Sequence, residues 1–380
     1  MFRFKLKQNR GFTLVELVVA TAIFGIILAG VLGSYSALTS SVKVAREKTI
    51  LSSLSANYLE IVRNLPYSEV GTLNGNPTGS LSDQSNPVIV TIASVVYHIY
   101  YEVTYIDDPA DGTILLGSDS APNDYKQVKM FIKNNNTNQI TNFLSTISPK
   151  GLEGLTSGGA LLLNVFDASG QPVSGANVHI ENTILDPDII LDRQTNSSGQ
   201  VLEVALPPSV NGYHVVVTKT GYSSDQTEPI SVANPNPTKP DATVVDGVVT
   251  SVSFGIDLLS NLTIRTLNQL CQNVNGVNVN IKGAKLIGTN PNVLKFDNSY
   301  VSSSGQVVLN NIEWDTYTPT LVAGQSYVRY GTSPIQQITV LPATSQIYTM
   351  ILGQPSTDYS LLVIVKDAAT GTALEGAVVH

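Results

Sequence analysis

Between Phe12 and Gly33 the chain carries 22 residues with one charged side chain, Glu16. As a helix rising 1.5 Å per residue this run is about 33 Å long, the thickness of a bilayer core. No other feature restricts the fold so strongly, because a segment this apolar needs lipid or other helices around it. Arg3, Lys5, Lys7 and Arg10 precede the run with no acid among them. That flank places the amino terminus on the cytoplasmic side. A secretory signal has a shorter apolar core and a small-residue cut site after it; here the small residue, Gly11, comes before the run. A carboxylate at the bilayer centre costs about 2.5–3.5 kcal/mol. Glu16 lies about 6 Å along the helix from Phe12 and so reaches the interface. Packed among other helices, away from headgroups and water, it needs a cationic partner.

The helical pattern continues past the apolar run. Val42, Ala45, Leu51, Leu54, Tyr58, Ile61 and Leu65 recur at mostly three- and four-residue steps, while Lys43, Arg46, Glu47, Lys48 and Glu60 fill other faces. Pro66 disfavours helix at Leu65 and ends it, so one helix of about 50 residues is expected. A Gly/Asn/Pro/Ser-rich loop follows at 71–87. Strands are then expected at 88–92, 96–106, 125–133 and near 139–147, the third alternating through Val128, Met130 and Ile132. A long helix laid on this small antiparallel sheet would complete a core.

Beyond a Gly-rich linker at 148–159 the chain repeats itself. LLLNVFDASGQPVSGANVHI at 161–180 returns as LLVIVKDAATGTALEGAVVH at 361–380 and, degenerately, as LTIRTLNQLCQNVNGVNVNI at 262–281. Gly175, Gly276 and Gly376 are 101 and 100 residues apart, and TNSSGQV at 195–201 is echoed by VSSSGQV at 301–307. Two motifs at one period indicate a duplicated domain, of a size and patterning that suit a seven-stranded Greek-key sandwich. The expected class is therefore α+β: a long N-terminal helix on a small antiparallel sheet, then two all-β Greek-key sandwiches. The expected boundaries are a basic leader at 1–11, a membrane or filament-core helix at 12–33, a head at 34–150 and a linker at 151–159. Sandwiches are expected at 160–257 and 258–355, and the start of a third, truncated repeat at 356–380.

The net charge is −8 although the first ten residues are all neutral or basic, so the remainder is more acidic still and argues against a nucleic-acid partner. The single cysteine, Cys271, permits no intrachain disulfide and is expected to be a small buried hydrophobe. His98, His179, His214 and His380 are scattered, and no HExxH, P-loop or GxSxG motif occurs; neither enzymatic activity nor a cofactor is expected. Asp107, Asp108 and Asp111 beside Gly112 are a weak calcium candidate, read rather as a solvated turn. Tyr97, Tyr100, Tyr101 and Tyr105 are expected to pack against the helix rather than stack on sugars. Trp314 and Tyr317 would suit carbohydrate stacking if exposed together; burial in the second sandwich is preferred.

GFTLVE at 11–16, with its basic leader and apolar helix, resembles the prepilin N-terminus of type IV pilins and type II secretion pseudopilins. The resemblance implies cleavage after Gly11 by prepilin peptidase, N-methylation of Phe12, and Glu16 as the fifth residue of the mature chain. It also implies assembly with other subunits through the helix on an inner-membrane platform. The freed, still cationic amine of Phe12 in one subunit would then meet Glu16 of a neighbour. YEVTYIDDPADG with DYKQVKMFI is more loosely similar to the sheet region of minor pilins and minor pseudopilins. The C-terminal cysteine pair common in major pilins is missing. GQPVSGANVHI…NSSGQV resembles the carboxypeptidase regulatory-like domain, a non-catalytic transthyretin-like sandwich. Together these imply a pilin-like structural subunit, first a single-pass membrane protein and then part of an extracellular or periplasmic filament, with the sandwiches as stalk or adhesive tip. The alternatives are a membrane-anchored binder of polysaccharide or another surface ligand, and a fixed membrane protein that never polymerises.

Overall fold

Thr13 starts the first helix because its side chain and that of Glu16 satisfy each other's backbone N–H groups, the reciprocal arrangement of a capping box. In the computed structural model, which describes residues 13–109, 112, 123–149, 158–356 and 363–379, this helix, α1, runs unbroken over the 51 residues Leu14–Asn64. It stops at Leu65, whose extended backbone (φ −69°, ψ 148°) is what the following Pro66 requires. Four strands follow: β1 (Val88–Ile92), β2 (Val95–Ile106), β3 (Tyr125–Asn134) and β4 (Ile140–Ile147), forming one sheet in chain order.

By their contacts the described residues fall into two compact units. One holds α1 through Pro66, Leu81–Tyr101 and Val128–Ser145; the other holds Tyr67–Ser80, Glu102–Gln127 and the chain from Thr146. In the first unit Leu54 and Val62 of α1 are buried together with Tyr97, Ile99 and Tyr101 of β2 and Val128, Met130 and Ile132 of β3. Glu47 accepts a hydrogen bond from the Asn134 amide at 2.8 Å. The stripe on α1 differs by one step from the sequence pattern. Val62 is fully buried, whereas Ile61, Val42 and Ala45 are exposed, because four residues on from Tyr58 return closer to the sheet-facing side and contact begins only near Glu47.

The second unit carries the duplicated sandwiches. The first is built from β5 (Gly159–Phe166), β6 (Asn177–Asn182), β7 (Ile189–Gln194), β8 (Gln200–Leu206), β9 (Ser209–Thr218), β10 (Asp225–Gln226), β11 (Ala242–Val244) and β12 (Val249–Gly255). Its sheets are β12-β5-β8 and β10-β9-β6-β7, with β11 also on β9. The second is built from β13 (Ser260–Asn268), β14 (Asn278–Gly283), β15 (Leu286–Gly288), β16 (Val293–Leu294), β17 (Asp297–Val301), β18 (Gln306–Ile312), β19 (Asp315–Leu321), β20 (Val328–Ser333), β21 (Ile338–Val340) and β22 (Ser345–Gly353). Its sheets are β18-β13-β22-β20 and β17-β14-β19-β21, with β15-β16 a separate hairpin.

The copies share most of their connectivity, differing in that β10 pairs with β9 whereas β20 pairs with β22. In each, first and last strands pair in parallel, β5 with β12 and β13 with β22, and the first strand is flanked antiparallel on its other side, β5 by β8 and β13 by β18. Each has its own closed core: Leu161, Leu163, Ile180, Tyr213 and Phe254 in one, Leu262, Ile264, Ile281, Tyr317 and Tyr348 in the other. The repeated glycine has a backbone cause, since Gly175, Gly276 and Gly376 all hold φ between 67° and 75°, the left-handed region that favours glycine. The second motif hides a one-residue offset. The buried hydroxyl that bonds back to the Gly turn is Thr195 in the first copy, on Val173 O and Ala176 N, and Ser302 in the second, on Val274 O and Val277 N. Residues 363–379 also repeat the turn that precedes the repeated glycine, with Asp367 accepting from the backbone of Ala369 and Thr370 as Asp167 does from Ser169 and Gln171. Cys271 corrects an expectation: it is exposed, at φ 59° in the turn after β13, where the degenerate copy has lost the glycine found at Gly170.

Candidate functional site

The amino-terminal part of α1 is exposed along its whole apolar length. From Leu14 to Val44 no described residue is buried, and Leu14, Ile26 and Tyr35 expose two thirds or more of their surface. It is the one described helix long and apolar enough to cross a membrane. Within this surface Glu16 is the only charge up to Gly33. Its Oε2 accepts from the Thr13 N–H at 2.9 Å and the Thr13 hydroxyl at 2.8 Å, and its own N–H donates to that hydroxyl at 3.3 Å. The carboxylate therefore sits at the positive end of the helix dipole, half satisfied by its own chain, and Oε1 has no hydrogen-bond donor among the described residues. Gly11 and Phe12, the residues expected at the processing step, lie outside the described residues. Thr13 was not singled out from the sequence, although Thr-x-x-Glu ahead of an apolar run is the signature of a capping box.

The remaining sequence candidates disperse. Asp111 lies outside the described residues, the Asp108 N–H donates to the Asp124 carboxylate, and no metal-holding group of acids, His or Cys exists among the described residues. Tyr97 and Tyr101 are buried beside Glu47 and Tyr58 of α1, and burial pushes both phenols up. Tyr100 points the other way and stacks on Phe131 at 4.9 Å. Trp314 and Tyr317 do not form a shared surface. Tyr317 is 1% exposed, its hydroxyl on the Glu313 carbonyl and its ring edge-on to Phe296. Trp314 carries the Lys285 ammonium 3.2 Å above its ring, which occupies the face a sugar would need.

One buried residue escaped sequence reading. Lys126 is 2% exposed and donates to the carbonyls of Tyr67 and Val70 at 2.7 and 2.8 Å, with the rings of Tyr67 and Tyr105 over its ammonium. Burial lowers its pKa to about 8. Its signal was present: Lys126 is in phase with Val128, Met130 and Ile132 on the inward side of β3.

Residues 6–32 match the prokaryotic N-terminal methylation motif. No curated protein matches the chain. Among solved structures the chain is similar to the TIE protein of Bacillus anthracis, at 12% identity over 72% of this chain and 57% of that one, with a TM-score of 0.21; it thus spans little more than half of that protein's length. It is also similar to GBS52, the minor pilin of the gram-positive pathogen Streptococcus agalactiae, at 11% identity over 54% of this chain and 100% of that one (TM-score 0.26). A streptococcal ancillary pilin matches at 11% identity over 69% of this chain and 79% of that one (TM-score 0.25). Likenesses this distant support no statement about function.

Proposed function

We propose that the chain is a pilin-like structural subunit that is processed and assembled through α1. The observation that carries this reading is the methylation motif at 6–32 running into α1, whose exposed apolar surface bears one charge up to Gly33, Glu16, at its capped start. In the precursor the basic leader holds α1 in the cytoplasmic membrane. Prepilin peptidase cuts after Gly11, and the freed amine of Phe12 is methylated and remains cationic. Thr13 occupies Glu16 Oε2, leaving Oε1 for the Phe12 amine of a neighbouring subunit. That pair would set the register between helices, as a single polar group does in a coiled coil. The same cut removes the cations that hold the helix to the membrane face and creates the counter-charge for its glutamate. The sandwiches are then carried on the cell surface or in the periplasm as spacer domains. Supporting the spacer role over ligand capture, Tyr317 is in the core and the face of Trp314 is covered by Lys285.

Two measurements test the reading. The intact mass of the chain isolated from cells is expected to correspond to a mature protein starting at methylated Phe12; a chain retaining residues 1–11 would exclude processing. Glu16→Ala is expected to lower incorporation into filaments at least tenfold relative to wild type at equal membrane abundance, and equal incorporation would sink the role of Glu16.

A further inference from the structure

The two sandwiches differ most in two connections. Between its second and third strands the first copy has the short turn 183–188, where the second copy inserts the hairpin β15-β16 within 284–296. Ahead of its next-to-last strand the second copy has the short turn 334–337, where the first copy carries the long loop 227–241. These two insertions meet each other. Thr238 N–H donates to Ile287 O at 3.0 Å, Thr289 N–H donates to Asn236 O at 2.9 Å, and Pro237 bridges Gly288. The side chains add to this ladder: Asn234 amide to Ile287 O at 3.0 Å, Asn236 amide to Asn290 O at 3.1 Å, and Thr238 hydroxyl to Leu286 O at 3.1 Å. Asn234 is 7% exposed and lies where a side chain at Gly288 would otherwise be.

The base of the hairpin is braced as well. Lys285 and Lys295 stand at its two ends and each takes one oxygen of Glu313, at 2.7 and 2.8 Å. Lys295 also crosses to the first copy, donating to Ser224 O at 2.8 Å. The cleft of about 300 Å³ that opens beside this contact is lined by both copies, and its third lysine, Lys239, is paired with Asp225 at 2.5 Å.

We infer that hairpin β15-β16 and loop 227–241 form a latch that fixes the second sandwich rigidly on the first, so that the pair moves and unfolds as one body. Neighbouring domains of one chain move relative to each other by default unless their interface is large and apolar. Here a backbone ladder made from the two non-duplicated segments replaces the apolar interface. The inference concerns only the sandwiches and holds whether or not α1 assembles into filaments.

The test is a spin-label distance measurement on the full chain in detergent, in a Cys271→Ser background with labels at Ser197→Cys and Asn310→Cys, both exposed positions of different copies. The expected result is one narrow distance distribution, broadened at least twofold by Asn234→Ala with Thr238→Pro, which removes three of the crossing hydrogen bonds. Lys295→Met with Asn236→Ala serves as a second pair that leaves the ladder backbone intact and should broaden the distribution to a smaller degree. A broad distribution in the unaltered latch overturns the inference, as does a distribution that stays equally narrow in the latch variants.

Discussion

Glu16 and Lys126 are both charges in apolar settings, and their partners decide what each does. Glu16 is exposed and its Oε2 accepts from the N–H and hydroxyl of Thr13, so its role depends on what comes to its free oxygen. Thr13→Ala removes the hydroxyl that caps the helix and is expected to cost the amino-terminal turn about 0.5–2 kcal/mol. Faster amide exchange at residues 15–17 in detergent micelles would register it, with Thr13→Ser close to wild type. Lys126 is held inside by two carbonyls, that of Tyr67, which the Val70 N–H also reaches, and that of Val70, whose one donor among the described residues is the ammonium. Lys126→Met leaves the Val70 carbonyl unsatisfied and is expected to lower stability at pH 7 by about 1–3 kcal/mol. The pH dependence has a definite sign. The folded pKa of about 8 lies below the unfolded value of 10.5, so between them the unfolded chain binds the extra proton and stability rises with pH. The calorimetric gap between wild type and Lys126→Met should therefore widen from pH 8 to 10; a gap that narrows would mean that the ammonium is not disfavoured by burial. Sequence alone marked Glu16 because charge in a long apolar run is rare, and passed over Lys126 because it is one of three lysines, with Lys129 and Lys133, in the ten-residue strand β3.

Among the elements, α1 was the most legible, since an apolar run opens it, an amphipathic stripe continues it and Pro66 ends it. Its facing side was less so. Ile61 and Val62 are adjacent apolar residues, either of which continues a three- or four-residue step, and only the sheet's position selects Val62. Val62→Ala is accordingly expected to cost about 1–3 kcal/mol through the cavity it leaves, whereas Ile61→Ala should stay within about 0.5 kcal/mol. Chemical denaturation of the two variants side by side separates these outcomes, and equal losses would place α1 in the other phase. The strands were legible where alternation was clean, as in β3. The hairpin β15-β16 was not, because Leu286–Gly288 and Val293–Leu294 are too short to show a period, and their pairing partner is a loop some fifty residues earlier in sequence. Trp314 shows the same limit from the side of chemistry: the aromatic signal was real, but the lysine that covers it lies 29 residues away in the chain.

Across the full chain the duplication carried the sandwich architecture, because a glycine held at positive φ survives even where the surrounding motif has decayed. What decayed was the side-chain detail, such as the shift from Thr195 to Ser302 and the turn that left Cys271 exposed. One packing device is retained in both copies. Tyr213 of β9 and Tyr317 of β19 are fully buried, and each hydroxyl bonds back to a carbonyl just before its own strand, Pro207 O and Glu313 O, both at 2.7 Å. This is the geometry of a tyrosine corner, which ties a strand to the connection that feeds it. Burial pushes both phenols upward. A group whose folded pKa is raised stabilises fully below its unfolded pKa, about 10 for tyrosine, and loses that contribution as pH rises above it. Tyr213→Phe and Tyr317→Phe are therefore each expected to cost about 1 kcal/mol at pH 7 from the lost hydrogen bond. Each should also flatten part of the alkaline loss of stability above pH 10, because no phenol remains to ionise. Calorimetry at pH 7 and above pH 10 checks both effects. If one variant is destabilised and the other is not, the two copies have kept the same topology while dividing its stabilisation unequally, and the corner in the silent copy is held by its sheets alone.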